Sequence, residues 1–279
     1  MSNSRLRERI RYLEPIPSGQ SPGGKLTKPI RAILFDIYGT LFISQSGDVG
    51  VAEKNTPRRT DLAELCRHHA IQNAPEELSR KLIDTIHKDH RERRTAGVRY
   101  PEVEIDKIWQ RVLGWQDRKR LRAFALEYEW TANPCYPMPG LDHTLRVIRR
   151  RNLVMGIISN AQFYTASLFE LFLGASATDL GFAPDLTCYS YRFGLAKPSA
   201  GLYGRCTDGL ERRGISPSSV VYVGNDMLND MMPATHMGWQ TVLFAGDRRS
   251  LRLRRDHDAC RQIRPDLVVT DLRQLLEWL

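Results

Sequence analysis

Long hydrophobic runs are missing from this 279-residue chain, and no apolar stretch approaches the roughly 20 residues that cross a bilayer. Its first residues, MSNSRLRERIRYLEP, contain no apolar segment, so a secretory signal is not expected. Cysteine is sparse. The five present (Cys66, Cys135, Cys188, Cys206, Cys260) form no C-x-x-C pair, which argues against a disulfide framework or a thiolate metal cluster. Free thiols in a reducing compartment follow, with the cytoplasm as the expected location. Acidic residues are in deficit, 32 against 41 lysines and arginines, a formal net charge of +9. Such a field steers small anions and also attracts nucleic acid without specificity. The basic clusters at 5–11, 91–94, 149–151 and 248–255 lie far apart and lack interleaved aromatics. They read as solvated faces, so neither a nucleic-acid nor a membrane partner is expected, and the oligomeric state is not legible.

What is present is a globular composition, 42% hydrophobic and 26% charged, long enough to bury a large core. Residues 1–28 hold a short Arg/Leu helix signal and then a Pro- and Gly-rich stretch, and read as a flexible basic tail. An apolar run from Ile30 to Phe35, broken by Arg31, reads as a buried strand. The polar loop from Ser44 to Gly50 has the turn residues of a small hairpin. From about Thr60 to Ala132 the pattern is helical throughout. Stripes run through Leu62, Leu65, Cys66 and His69, then Leu78, Leu82, Ile83 and Ile86, with Asn73 as N-cap. Ile105, Ile108, Trp109, Val112 and Leu113 form a third, and Leu121, Phe124, Ala125 and Tyr128 a fourth. His68, His69, His87 and His90 sit among basic neighbours and read as solvated or core histidines rather than metal ligands.

After the proline-rich stretch 133–140, strands and helices alternate. Strands are expected at 153–158, 185–189, 220–223, 241–244 and 267–270, with helices at 141–151, 161–173, 199–213 and the C-terminus. Alternation of this kind specifies a parallel sheet covered by helices. The expected division is an α/β core from 29–45 and 133–279 with an inserted helical unit, 46–132.

Polar residues follow four of these strands, where ligands bind in open α/β sheets. Asp36 ends the first strand, with Tyr38, Gly39 and Thr40 close behind, and the 37–39 N–H groups are a candidate anion nest. Ser159 and Asn160 follow the second strand, and Lys197 precedes Pro198 and a helix. Gly224-Asn225-Asp226-Met227-Leu228-Asn229-Asp230 places two carboxylates four residues apart, an oxygen-rich loop suited to Mg²⁺. Alone, Asp36 reads as functional more readily than as a turn cap, Ser159-Asn160 also serves as a helix N-cap, and Lys197 reads as a solvated lysine; a capped turn accounts poorly for the two aspartates of the last motif.

Together, Asp-x-x-Gly-Thr, Ser, Lys-Pro and Gly-Asn-Asp-x-x-Asn-Asp in this order resemble the haloacid dehalogenase superfamily, and the likeness covers residues 29–279. About 120 residues separate the first two motifs and fewer than 40 the next two, as in members with a helical cap after motif one. The resemblance implies a Rossmann-like core and a hydrolase. It implies Asp36 as nucleophile, Thr40, Ser159, Gly39 and Asn160 on the substrate anion, and Lys197 neutralising that anion and Asp36. Mg²⁺ would be held by Asp36, the Tyr38 carbonyl, Asp226 and Asp230, with Asn225 the alternative to Asp226. Arg99, in the turn-prone stretch 95–102, is the candidate substrate contact from the cap.

One position departs from the pattern. Phosphatases of this superfamily usually carry a second Asp two residues after the nucleophile, where this chain has Tyr38, as the 2-haloacid dehalogenases do. A missing general acid costs about 10²–10⁴-fold when the leaving group needs a proton, and a halide needs none. Paired aspartates in motif four point the other way, to metal-assisted phosphate chemistry. The dehalogenase halide arginine has only Arg67 as a counterpart. The expected activity is therefore Mg²⁺-dependent hydrolysis of a small phosphate ester or acyl phosphate. The alternatives are a metal-independent 2-haloacid dehalogenase, or a catalytically weakened binding or regulatory module.

Overall fold

The computed structural model describes residues 10–46 and 59–279. Its centre is a seven-stranded sheet in the order 1-9-8-7-2-5-6, parallel except for the edge strand β1. The strands are β1 (Gly23–Gly24), β2 (Ala32–Phe35), β5 (Val154–Ser159), β6 (Phe182–Tyr189), β7 (Val220–Gly224), β8 (Gln240–Phe244) and β9 (Leu267–Val269). A separate antiparallel pair joins β3 (Phe42–Ser44) to β4 (Cys135–Pro137).

Period-two alternation explains why β2 sits at the middle. Ile33 and Phe35 enter the core on one face of the sheet, and Ala32 and Leu34 enter the core on the other. All are essentially solvent-free, so each large side chain contributes about 1.5–3 kcal/mol by leaving water. Strand β7 repeats the pattern, with Val221 and Val223 on one side and Val220 and Tyr222 on the other. A strand buried on both faces has no polar side to expose, and hence reads as a continuous apolar run.

The core helices are α5 (Leu141–Arg150), α6 (Ser167–Leu173), α7 (Ser190–Phe193), α8 (Ala200–Glu211) and α9 (Met232–His236). Between β3 and β4 come α1 (Arg59–His68), α2 (Pro75–Thr95), α3 (Ile105–Leu113) and α4 (Arg118–Ala132). These four have a core of their own. Trp109 packs edge-on against Phe124 and Tyr128, at centroid distances of 4.8 and 4.7 Å, among Leu62, Leu65, Leu78 and Leu121. Because β3 and β4 pair, the chain leaves for the helices and returns at one place. Asn133 fastens that place, its Oδ1 accepting from Ser44 Oγ at 2.9 Å and from the Ser46 N–H at 3.0 Å.

Several local expectations are corrected. Asn73 does not cap α2; Ala74 precedes it and Pro75 opens it, supplying a preset φ and no N–H that needs a partner. The helix expected from 161 begins at Ser167, because Gln162 is drawn into contacts with the helical unit. The C-terminal helix is a 3-10 segment, Leu272–Glu277, under an Asp271–Gln274 capping box. The described part of the tail lies against the core. Ser18 Oγ donates to the Ala245 carbonyl, the Ile16 N–H to Asp247, and Gly23–Gly24 extend the sheet beside β9. Residues 47–50 of the expected hairpin lie outside the described residues. All five cysteines are free and buried.

Candidate active site

Parallel pairing aligns the strand ends that carry the polar motifs. Phe35 is in register with Ile157 of β5 and Val223 of β7, so Asp36 emerges between the residues after both strands. Its N–H donates to the Val223 carbonyl at 2.9 Å, and the residue is 4% exposed.

Lys197 reaches the same point from the loop ahead of α8. Its Nζ donates to Asp36 Oδ1 at 2.7 Å and to Asp230 Oδ1 at 2.6 Å, with all three side chains buried. Burial pulls the Lys197 pKa down, but the Asp230 and Asp36 carboxylates outweigh it and hold the ammonium above its ordinary value. Asn160 positions this lysine, its Oδ1 accepting the Lys197 N–H at 2.7 Å.

Asp230 is the most heavily bonded group. Oδ2 accepts the N–H groups of Asn225 and Asp226, each at 2.9 Å, and Oδ1 accepts the Tyr222 hydroxyl at 3.1 Å beside Lys197. Burial pushes its pKa up to about 7; Lys197 opposes the rise, and Asp36 and Asp226 add to it. Tyr222 has no signature in sequence beyond being an aromatic in a buried strand.

Asp226 has a further partner. Its Oδ2 accepts Arg254 Nη2 at 2.6 Å and its Oδ1 accepts Arg254 Nε at 3.1 Å and the Leu228 N–H at 2.8 Å. It pairs with Arg254 and caps a π-helical turn, Met227–Met231, while still lining the cavity beside Asp36. Asn225 stands beside the nucleophile loop, its Nδ2 donating to the Tyr38 carbonyl at 3.1 Å. Among the described residues, the one group of three His, Cys, Asp or Glu ligand atoms within 4.8 Å is His68, His69 and Glu127 in the helical unit. There His69 Nε2 lies 3.3 Å from the Glu127 carboxylate.

The oxygens at the cavity for a hard cation are the Asp36, Asp226 and Asp230 carboxylates and the Tyr38 carbonyl, which accepts the Asn225 amide N–H. This set of oxygens fits Mg²⁺, which keeps several waters and takes one or two carboxylates. The upward push on Asp230 from neighbouring negative charge is what a bound divalent ion would relieve.

The loop after Asp36 turns on itself. The Gly39 N–H donates to the Phe42 carbonyl at 2.6 Å, so it is not part of an anion nest; the Thr40 and Leu41 N–H groups bond the Ile37 carbonyl. Thr40 Oγ1 is buried without a hydrogen-bond partner among the described residues. Ser159 is fully buried and donates only to the Asn160 carbonyl, at 3.4 Å. The Tyr38 hydroxyl meets Thr165 Oγ1 at 2.9 Å, and burial raises its pKa well above the ordinary value. It therefore stays protonated at neutral pH.

Gly39 is required where it stands. Its φ is +79°, and an added Cβ would overlap the Asn225 amide and the Ser250 side chain. Gly39→Ala is expected to lower stability by about 2–4 kcal/mol, from left-handed strain plus overlap, in urea unfolding.

A small cavity of about 50 Å³ opens on Asp36, Lys197, Asp226 and Asp230, lined also by Tyr38, Ser44, Asn133, Asn160, Asn225, Asn229, Ser250 and Arg252. Ser250 and Arg252 were not expected. They belong to the 248–255 cluster read as a solvated face, yet Arg249 pairs with buried Asp247, Arg252 lines the cavity and Arg254 holds Asp226. Arg99 is exposed, over the Tyr100 ring, and Arg67 is exposed on α1; neither lines the cavity.

The stretch 95–102 instead fastens the helical unit to the core. The Glu102 N–H donates to the Gly194 carbonyl at 3.1 Å and the Ala196 N–H to the Tyr100 carbonyl at 2.9 Å. Arg93 bonds the carbonyls of Glu102 and Gly194. The Glu102 carboxylate accepts from Ser190 Oγ at 2.7 Å, and burial raises its pKa to about 7 against that bond. No described helix is long and apolar enough to cross a membrane.

A parallel sheet carries a buried Asp–Lys–Asp triad at its carboxyl edge, with helices inserted after the first aspartate. The chain belongs to the haloacid dehalogenase-like hydrolases, whose family model matches residues 30–238. It is 26% identical over 223 residues to a glyceraldehyde 3-phosphate phosphatase of Methanocaldococcus jannaschii, covering 76% of this chain and 84% of that one. A 2-haloacid dehalogenase from Pseudomonas syringae superposes with a TM-score of 0.56 at 20% identity, over 89% of this chain and 97% of the other. A HAD phosphatase from Thermococcus onnurineus gives 0.52 at 18% identity, over 89% and 97%. These two establish the shared fold.

Proposed function

We propose that this hydrolase cleaves phosphate esters or acyl phosphates of a small molecule, with Asp36 as nucleophile and Mg²⁺ as cofactor. The observation that carries the reading is the buried triad in which Lys197 Nζ bridges Asp36 and Asp230. Lys197 holds the Asp36 side chain in place, and its charge offsets the anion the nucleophile must approach. An Asp36 oxygen attacks phosphorus, and the bond from phosphorus to the leaving oxygen breaks as an aspartyl phosphate forms. Water then cleaves that acyl phosphate, regenerating Asp36 and releasing phosphate. The unpartnered Thr40 Oγ1 is available to the phosphoryl oxygens. Asp36, the Tyr38 carbonyl, Asp226 and Asp230 would hold Mg²⁺, which would offset charge on the transferring group. The helical unit would act as a cap, tied to the core at Asn133 and Glu102.

Tyr38 supplies no carboxylate to protonate the leaving oxygen, so substrates with good leaving groups are favoured. The phosphatase named above adds support for phosphoryl chemistry. A second reading, 2-haloacid dehalogenation with Asp36 attacking carbon, is favoured by Tyr38 and by Asn225 beside its carbonyl. The two separate in one experiment. Release of nitrophenol from nitrophenyl phosphate should require MgCl₂ and stop with EDTA. Halide release from 2-chloropropionate that is indifferent to EDTA, with no phosphatase activity, would replace the first reading by the second.

A further inference from the structure

We infer that Arg252 and Ser250 form a second anion subsite beside the nucleophile, and that the substrate is a short phosphorylated carboxylic acid. The inference rests on the phosphohydrolase reading and adds to it the chemistry at the substrate's other end.

Three cations stand at or next to the cavity. Lys197 is spent on Asp36 and Asp230, and Arg254 on Asp226. Arg252 forms no ion pair among the described residues. One of its nitrogens, Nη1, donates to the Arg249 and Leu251 carbonyls at 2.8 and 3.1 Å. Those bonds fix the guanidinium and leave Nε and Nη2 without a described partner. Two adjacent N–H groups on a planar fork match the two oxygens of a carboxylate.

The backbone under Arg252 is locked to motif four. Its N–H donates to the Asn225 carbonyl and its carbonyl accepts the Met227 N–H, each at 2.9 Å. Arg252 is thereby set on the same backbone that supports Asn225 and Asp230. Ser250, two residues earlier, is 1% exposed; its Oγ has no hydrogen-bond partner among the described residues and it lines the same cavity. Its position is tight against the nucleophile loop, since a Cβ on Gly39 would overlap it. An unpartnered buried hydroxyl is costly unless a ligand uses it. Asp247 braces the turn by accepting the Arg249 N–H at 3.0 Å and the Leu251 N–H at its carbonyl at 3.0 Å. The cavity is only about 50 Å³, so the tail that reaches Arg252 must be short.

The test compares 2-phosphoglycolate with ethyl phosphate, a similar ester without the carboxylate. Binding to the full-length Asp36→Asn protein in MgCl₂ is measured by calorimetry, so turnover does not intervene. The carboxylate compound should bind at least about 10-fold tighter, the size of one charge-assisted hydrogen bond. Arg252→Leu on the same background should bring the two within about threefold, and Arg252→Lys should keep part of the preference. Equal affinities, or no detectable binding of either, overturn the subsite whatever the variants do. Turnover of either ester by Asp36→Asn would instead overturn the assigned nucleophile.

Discussion

Asp36→Asn should lower turnover of nitrophenyl phosphate by about 10⁴-fold or more, because an amide oxygen cannot form or release the acyl-phosphate bond. The fold should survive the change. An Asn at this position still offers a carbonyl to Lys197 Nζ, and the backbone N–H keeps its bond to Val223. Asp230 loses one neighbouring negative charge, which relieves part of the upward push on its pKa. A variant that folds normally by circular dichroism yet keeps a hundredth of the activity would remove Asp36 from the nucleophile's role.

Lys197→Met should be the most destabilising single change in the core of the site. Removing one partner of a buried ion pair costs about 3–5 kcal/mol, because the remaining charges are left without compensation. Here two carboxylates, Asp36 and Asp230, are left facing each other in a closed site. Activity should fall by about 10²-fold or more with the loss of electrostatic stabilisation. The stability loss should depend on pH in a defined direction. Asp230 holds its proton more tightly folded, with a pKa near 7, than unfolded, where 3.8 is ordinary. Such a group adds stability that is fully present below about 4 and is lost as pH rises through about 7. Without Lys197 the folded value rises further, so urea midpoints of the variant should fall more steeply than wild type between pH 5 and 8. Parallel curves for the two proteins would show that Asp230 does not carry the uncompensated charge.

The site was partly legible because its residues sit at strand ends, and strands buried on both faces announce themselves as apolar runs. Asp36, Ser159 and Asn225 could be placed in this way from local pattern alone. The pairing of Asp226 with Arg254, 28 positions on, was not legible, because no local pattern carries it. Arg252 and Ser250 were hidden for a related reason. Their segment looks like an ordinary basic surface run, and its path is set by backbone bonds to motif four and by Asp247. The helical unit was readable from its stripes, since amphipathic periodicity is a local property. Its fastening through Glu102 and Asn133 was not, because those bonds are between distant segments. The described part of the tail lies against the core through bonds of its backbone and of Ser18, which its Pro- and Gly-rich composition does not reveal.

The strand order also dictates when the protein can become active during its own synthesis. Strand β2 leaves the ribosome early, but its neighbours β5 and β7 begin at Val154 and Val220. The apolar faces of β2 therefore wait for more than a hundred residues with no sheet to join. The helices between them make mainly neighbouring contacts and can assemble in that interval, as local structure forms faster than distant pairing. Asp36, Lys197 and Asp230 meet only after β7 has docked, so the charged triad closes late, inside a sheet already flanked by helices. A nascent chain stalled before residue 154 would leave this hydrophobic central strand unpaired on both sides and have no site at all.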